Sequence, residues 1–157
     1  MMIFVTVGTT CFDELIGYMD VLAKHYEHQI ILQTGPSTYI PSNASYFDFT
    51  NDIEAMYDKA DIIVSHAGAG STYKLLELEK PLILVPNLER VDKHQSDIAT
   101  FMENNRHALV AWEYVQIPKM IDKIVQNTVV LKPFKKKAFF AQERLRSEIL
   151  RSVGEES

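Results

Sequence analysis

A chain of 157 residues with 46% apolar and 24% charged side chains holds enough hydrophobic material for one sizeable core and too little length for two ordinary enzyme domains. Its formal charge of -5 offers no global attraction to phosphate backbones or anionic lipids, which removes nucleic acid from the expected partners. A lone cysteine, Cys11, cannot form an internal disulfide, the opening Met1 to Val7 lacks the charged and long apolar regions of a secretory leader, and no apolar run reaches the roughly 18 to 20 residues of a membrane span, so a reducing cytoplasm is expected.

In chain order, short apolar runs alternate with stretches of helical period. Met2–Val7 is a buried-strand run ended by Gly8. Phe12, Leu15, Ile16, Met19, Leu22 and Ala23 then make one apolar helical stripe. Gln29–Gln33 predicts a second strand and Tyr46–Phe49 a short one, followed by a helix over 52–59. Asp61–Ser65 predicts a strand, 71–79 a helix, Pro81–Val85 a strand, 92–105 a helix, Ala108–Ala111 a short strand and 117–127 a helix. A last helix is predicted over 135–152. This βαβα order predicts a single α/β domain over 1–157: a Rossmann-like parallel sheet with helices on both faces. In such sheets ligands sit outside the carboxyl ends of the strands, so the loops after Val7, Ser65 and Val85 are where function is sought.

The sharpest of these is Ser65-His66-Ala67-Gly68-Ala69-Gly70-Ser71-Thr72, which leaves a buried strand and enters a helix. Its glycines let a ligand approach the backbone, and the new helix offers unpaired N–H groups and the positive end of its dipole, a cradle for a diphosphate. The plainer reading is a tight turn with Ser71 or Thr72 as a cap. It has neither the Lys-Ser/Thr ending of a Walker loop nor a full GxGxxG, which disfavours ATP hydrolysis and NAD chemistry. Thr6-Val7-Gly8-Thr9-Thr10 is a second glycine turn of the same kind, followed by Asp13 and Glu14, which suit a helix start but repel a phosphate placed close by. Val85 to Gln95 is a polar loop whose Asp92, His94 and Gln95 are groups that bond sugar hydroxyls, or that simply open a helix. His66 is the internal catalytic candidate, at a strand end beside the glycine loop; the alternative is a histidine that orients that loop. Cys11 is expected to pack.

Phe4–Thr10 with Phe12–Ile16, Ser65–Ser71, Lys80–Ile83 with Val85–Asn87, and His94-Gln95 together resemble the glycosyltransferase family 28 C-terminal domain family from residue 3 to about residue 105. The resemblance implies the donor-binding half of a GT-B enzyme. It places Gly8, Thr9 and Thr10 at the diphosphate of a UDP-sugar, Gly68, Ala69, Gly70, Ser71 and Thr72 at phosphate or ribose, and His94 and Gln95 at the sugar. Longer single-chain members carry a ribose-binding glutamate where this chain has Lys74, so either Lys74 meets a phosphate or Glu77, one turn later, takes the ribose.

The two-part members imply a membrane-anchored partner subunit that binds a lipid-linked sugar acceptor, with this chain cytoplasmic and recruited to the membrane through that partner. Exopolysaccharide or capsule assembly is the implied setting, with UDP-galactose, UDP-glucose or UDP-N-acetylglucosamine as donor. With no Asp-x-Asp motif in the chain, metal-independent inverting transfer with no cofactor is expected, helix dipoles stabilising the leaving diphosphate. A non-catalytic enhancer of that partner is the alternative. At the end of the chain, Lys132 to Lys137 precedes Phe139, Phe140, Leu145, Ile149 and Leu150. That basic start and apolar stripe read as a docking helix over 132–153, or as a helix packed on its own domain; the resemblance to GT-B enzymes favours docking.

Overall fold

The structure is a computed structural model that describes residues 1–87 and 94–133, with the backbone alone for 69–71, 94 and 95. In chain order its elements are β1 (Met2–Thr6), α1 (Asp13–Lys24), β2 (Gln29–Gln33), β3 (Ser45–Phe47), α2 (Ile53–Lys59), β4 (Ile62–Ser65), α3 (Ala69–Leu76), β5 (Leu82–Leu84), α4 (His94–Asn104), β6 (Leu109–Val110) and α5 (Gln116–Val125). The helix predicted over 135–152, and all of the docking segment except Lys132 and Pro133, lies outside the described residues.

Ile3, Phe4 and Val5 are all fully buried because β1 is covered on both faces. Successive side chains alternate between those faces. Ile3, Val5, Ile62, Val64 and Ile83 pack with Leu15, Ile16 and Met19 of α1 and with Ile117, Ile121 and Ile124 of α5. Phe4, Ile63, Leu82 and Leu84 pack with Tyr57 of α2, Leu75 and Leu76 of α3, and Ile98 and Met102 of α4. Each large side chain so removed from water contributes about 1.5 to 3 kcal/mol. The result is the predicted α/β arrangement, with helices on both faces of one sheet.

Among the described residues all strand pairs are parallel, in the order β3-β2-β1-β4-β5-β6. The chain therefore builds outward from β1 through β3, returns to β4 beside β1, and builds outward the other way. Two anchors fix the return. Asp52 caps α2 by accepting from the Ala55 amide at 3.3 Å. At the other end of α2 the Lys80 ammonium donates to the carbonyls of Tyr57, Asp58 and Ala60 at 2.6, 2.6 and 2.8 Å. A cation at a helix carboxyl end meets both the orphan carbonyls and the dipole. α3 runs from 69 to 76 instead of 71 to 79: Gly68, extended at φ -77°, is its N-cap, and Glu79 at φ 55° lies beyond its end.

Candidate active site at the β1/β4 switch point

β1 and β4 are neighbours, and Thr6 pairs with Ser65. The two glycine turns thus leave the sheet side by side, from strands about 4.8 Å apart. Ser65 also pairs with Leu84, which brings the Pro86-Asn87 loop to the same level. This is the point where strand order reverses, the place where doubly wound sheets receive ligands.

The first turn is organised from β2. The Gln33 side chain, 3% exposed, accepts from the Thr6 hydroxyl at 2.6 Å, the Gly8 amide at 2.9 Å and the Val7 amide at 3.1 Å. Its Nε2 donates to the carbonyls of Gly8 at 3.0 Å and Asp48 at 2.7 Å. Gly8 takes φ 60°, a left-handed conformation that favours glycine, and the Thr10 amide closes the turn on the Val7 carbonyl at 3.0 Å. Gly35, at φ 56°, packs so closely that a Cβ there would lie 2.7 Å from the Gly8 carbonyl oxygen. With its amide and carbonyl both engaged, Gly8 shapes the turn, while Thr9 is exposed and Thr10 half-buried.

The second turn is different. α3 begins at Gly68, which has no side chain to cap it, and has no acidic residue in its first turn. Its first N–H groups keep the anion-binding character expected of a helix start. Thr72, predicted at phosphate or ribose, is 1% exposed, and its hydroxyl donates to the Gly68 carbonyl at 2.7 Å, inside the helix. His66 is 5% exposed, and a Cβ on Gly68 would lie 2.5 Å from its Nε2. The imidazole therefore packs over the cradle, a geometry that fits the loop-orienting reading.

The remaining predicted residues scatter. Lys74 pairs with Glu54 of α2 at 3.4 Å, both largely exposed. Glu77 is the C-cap of α3, and at 1.5 Å rise per residue it stands about 13 Å along the axis from Gly68; the structure does not bring it to the cradle. His94 and Gln95 open α4 and are described by backbone only. Cys11, expected to pack, is exposed.

Sequence reasoning missed three scaffold residues. Asp13 does more than suit the helix dipole. Its carboxylate accepts from the Ser37 and Thr38 hydroxyls and, at 3.2 Å, from the Thr38 amide. The Ser37 and Thr38 hydroxyls hold its pKa below the ordinary carboxylate value. Asp20, fully buried, accepts from the amides of Ser42, Asn43 and Ala44 at 3.0, 2.8 and 2.9 Å and from the Tyr39 hydroxyl at 2.8 Å. Burial pushes its pKa up, but these donors together outweigh it and the net shift is down. The available signal was a carboxylate next to the apolar stripe of α1. Gln33 is the third, a polar residue at the end of a buried strand.

The model of the glycosyltransferase family 28 C-terminal domain matches residues 2–149, well past the segment whose motifs carry the sequence resemblance. The chain belongs to this family. Among its curated relatives, the human UDP-N-acetylglucosamine transferase subunit ALG13 is 39% identical over 118 residues, 67% of this chain and 10% of that protein. The UDP-N-acetylglucosamine--N-acetylmuramyl-(pentapeptide) pyrophosphoryl-undecaprenol N-acetylglucosamine transferase of Phocaeicola vulgatus is 38% identical over 80 residues, 51% of this chain and 21% of that one. This family member thus spans about a tenth of the length of the human relative and a fifth of the bacterial one. Among solved structures, the solution structure of ALG13 matches with a TM-score of 0.59 at 22% identity, covering 92% of this chain and 93% of that one. Acinetobacter baumannii MurG matches with a TM-score of 0.61 at 21% identity, covering 80% and 40%. Both share the fold.

Proposed function

We propose that this chain binds the diphosphate of a UDP-sugar at the β1/β4 switch point and is the donor-binding subunit of a two-component inverting glycosyltransferase. The observation that carries the reading is the Thr6–Ser65 register, which sets two glycine turns side by side with the uncapped, acid-free start of α3 between the strands and solvent. In the transfer, an acceptor hydroxyl oxygen attacks the anomeric carbon, the bond from that carbon to the β-phosphate oxygen breaks, and its electron pair leaves with UDP. The N–H groups opening α3 are fixed dipoles pointed at the oxygen where that charge develops, so they stabilise it without reorganising. The hydroxyl proton goes to a base on the partner. His66 acts as a positioning residue for the cradle.

The acceptor is a lipid-linked sugar held by a membrane-anchored partner, which recruits this chain to the inner face of the membrane. Among the described residues no helix is long and apolar enough to cross a bilayer. Relatives named for N-acetylglucosamine transfer favour UDP-N-acetylglucosamine over UDP-galactose or UDP-glucose. Those same names do not speak for the exopolysaccharide or capsule setting.

Calorimetry of the full chain with UDP, UDP-N-acetylglucosamine, UDP-galactose and NADH tests the site, and transfer assays with the co-expressed partner test the reaction. Saturable UDP binding, tightest among sugars for UDP-N-acetylglucosamine, is expected. Silence toward every nucleotide overturns the donor-site reading in favour of a non-catalytic enhancer.

A further inference from the structure

The Gly8 turn and the α3 cradle lie side by side, and the first is held by a side chain from another strand. Gln33 ends β2, and its amide group joins three segments: the end of β1 through Thr6, the turn through Val7 and Gly8, and the connector after β3 through Asp48. Two backbone bonds reinforce the last junction, from the Thr34 amide to the Phe47 carbonyl at 2.9 Å and from the Gly35 amide to the Asp48 carbonyl at 3.1 Å. One buried amide with five bonds is a fully satisfied network, which fixes a single arrangement of whatever it holds.

We propose that Gln33 is the positioning residue that sets the Gly8 turn for the pyrophosphate, drawing the Val7 and Gly8 amides toward β2 so that Thr9 and Thr10 form the ligand-facing edge. This rests on the reading of the switch point as the UDP-sugar site. Glycine at 8 is free to adopt other conformations, so what holds it at φ 60° is the Gln33 network together with the Thr10–Val7 backbone bond and the close approach of Gly35. Without the amide, the Thr6 hydroxyl, the Val7 and Gly8 N–H groups and the Gly8 and Asp48 carbonyls lose a partner at once. The turn then moves while β1, held by β2 and β4 along its length, does not. The nucleoside end of the ligand is insensitive to this change, and the diphosphate end is not.

The test is an NMR titration of the full-length chain and of its Gln33→Leu and Thr6→Val variants, each with UDP and with uridine. Wild type is expected to prefer UDP strongly. Gln33→Leu is expected to lose that preference by about tenfold, the scale of one bond to a charged group, with uridine affinity within about twofold. Thr6→Val, which removes one donor to Gln33, should show a smaller loss of the same kind. A purely structural role lowers the melting temperature and leaves the UDP-to-uridine ratio unchanged; that ratio unchanged in whichever variants fold, Thr6→Val deciding if Gln33→Leu does not, overturns the inference alone. Wild type that fails to bind UDP overturns the donor-site reading and this inference together.

Discussion

Two helices start beside the switch point, and they are built in opposite ways. α1 follows the Gly8 turn and opens with Asp13 and Glu14, whose carboxylates take the hydroxyls of Ser37 and Thr38 and of Tyr114. Its dipole is answered from within the protein. α3 follows the Gly68 turn, and its first turn has no acid, so no carboxylate of that turn answers its dipole. On the proposed reading, a glycine turn before a helix does not suffice to mark an anion-binding helix start; the charge placed in the first helical turn distinguishes α3 from α1, while the α1 side offers the diphosphate the Gly8 turn itself.

The largest effect is expected from making the second helix resemble the first. Asp13 is the first residue of α1 and Ala69 the first of α3, so Ala69→Asp transplants the acid. It should weaken UDP binding about 100-fold through like-charge repulsion at short range, measured by calorimetry, while the melting temperature holds or rises slightly. Undiminished affinity would break the comparison by moving the diphosphate away from α3.

Next in size is the scaffold on the α1 side. Asp20→Asn turns an acceptor of three amides and a hydroxyl into a group that also carries donors, at a cost of about 3 kcal/mol in urea denaturation. The acid limb of stability sharpens the same point. Asp13 and Asp20 both have lowered pKa values in the folded chain, so the stability they contribute is complete above the unfolded carboxylate value of about 4. It is lost as pH falls through the lowered folded values. Urea midpoints measured from pH 7 to pH 2.5 should be flat above about pH 5 and fall below pH 4, less steeply in Asp20→Asn. The smallest effect belongs to the exposed Lys74–Glu54 pair. Lys74→Ala should change stability by less than about 1 kcal/mol and UDP affinity by less than about threefold. A tenfold loss of affinity would instead place the ammonium on a phosphate.

The parts of this molecule that were legible in the sequence are those with a period. Gln29–Gln33 is β2 to the residue, and the other central strands are one or two residues shorter than predicted: Val7 and Val85 are buried loop ends as apolar as the strands before them, while Asp61 and Pro81 stand just before β4 and β5. The two glycine turns were legible because glycine has few other uses at a strand-to-helix junction. Gln33, Asp13 and Asp20 were not, since each acts on residues 15 to 27 positions away with no local pattern to announce it. Thr72 shows a similar limit: a hydroxyl at a helix start serves a ligand or its own backbone equally well, and its bond to the Gly68 carbonyl is not announced by the sequence.

The strand order carries a consequence for synthesis. β1 is translated before both of its neighbours, β2 and β4, so its second edge waits for Ile62 to emerge. A nascent chain that has only reached α2 presents a hydrophobic ribbon with one row of amides and carbonyls unmatched, the kind of surface that recruits aggregation partners or chaperones. Ribosome stalling before β4 therefore leaves that edge open to misassembly.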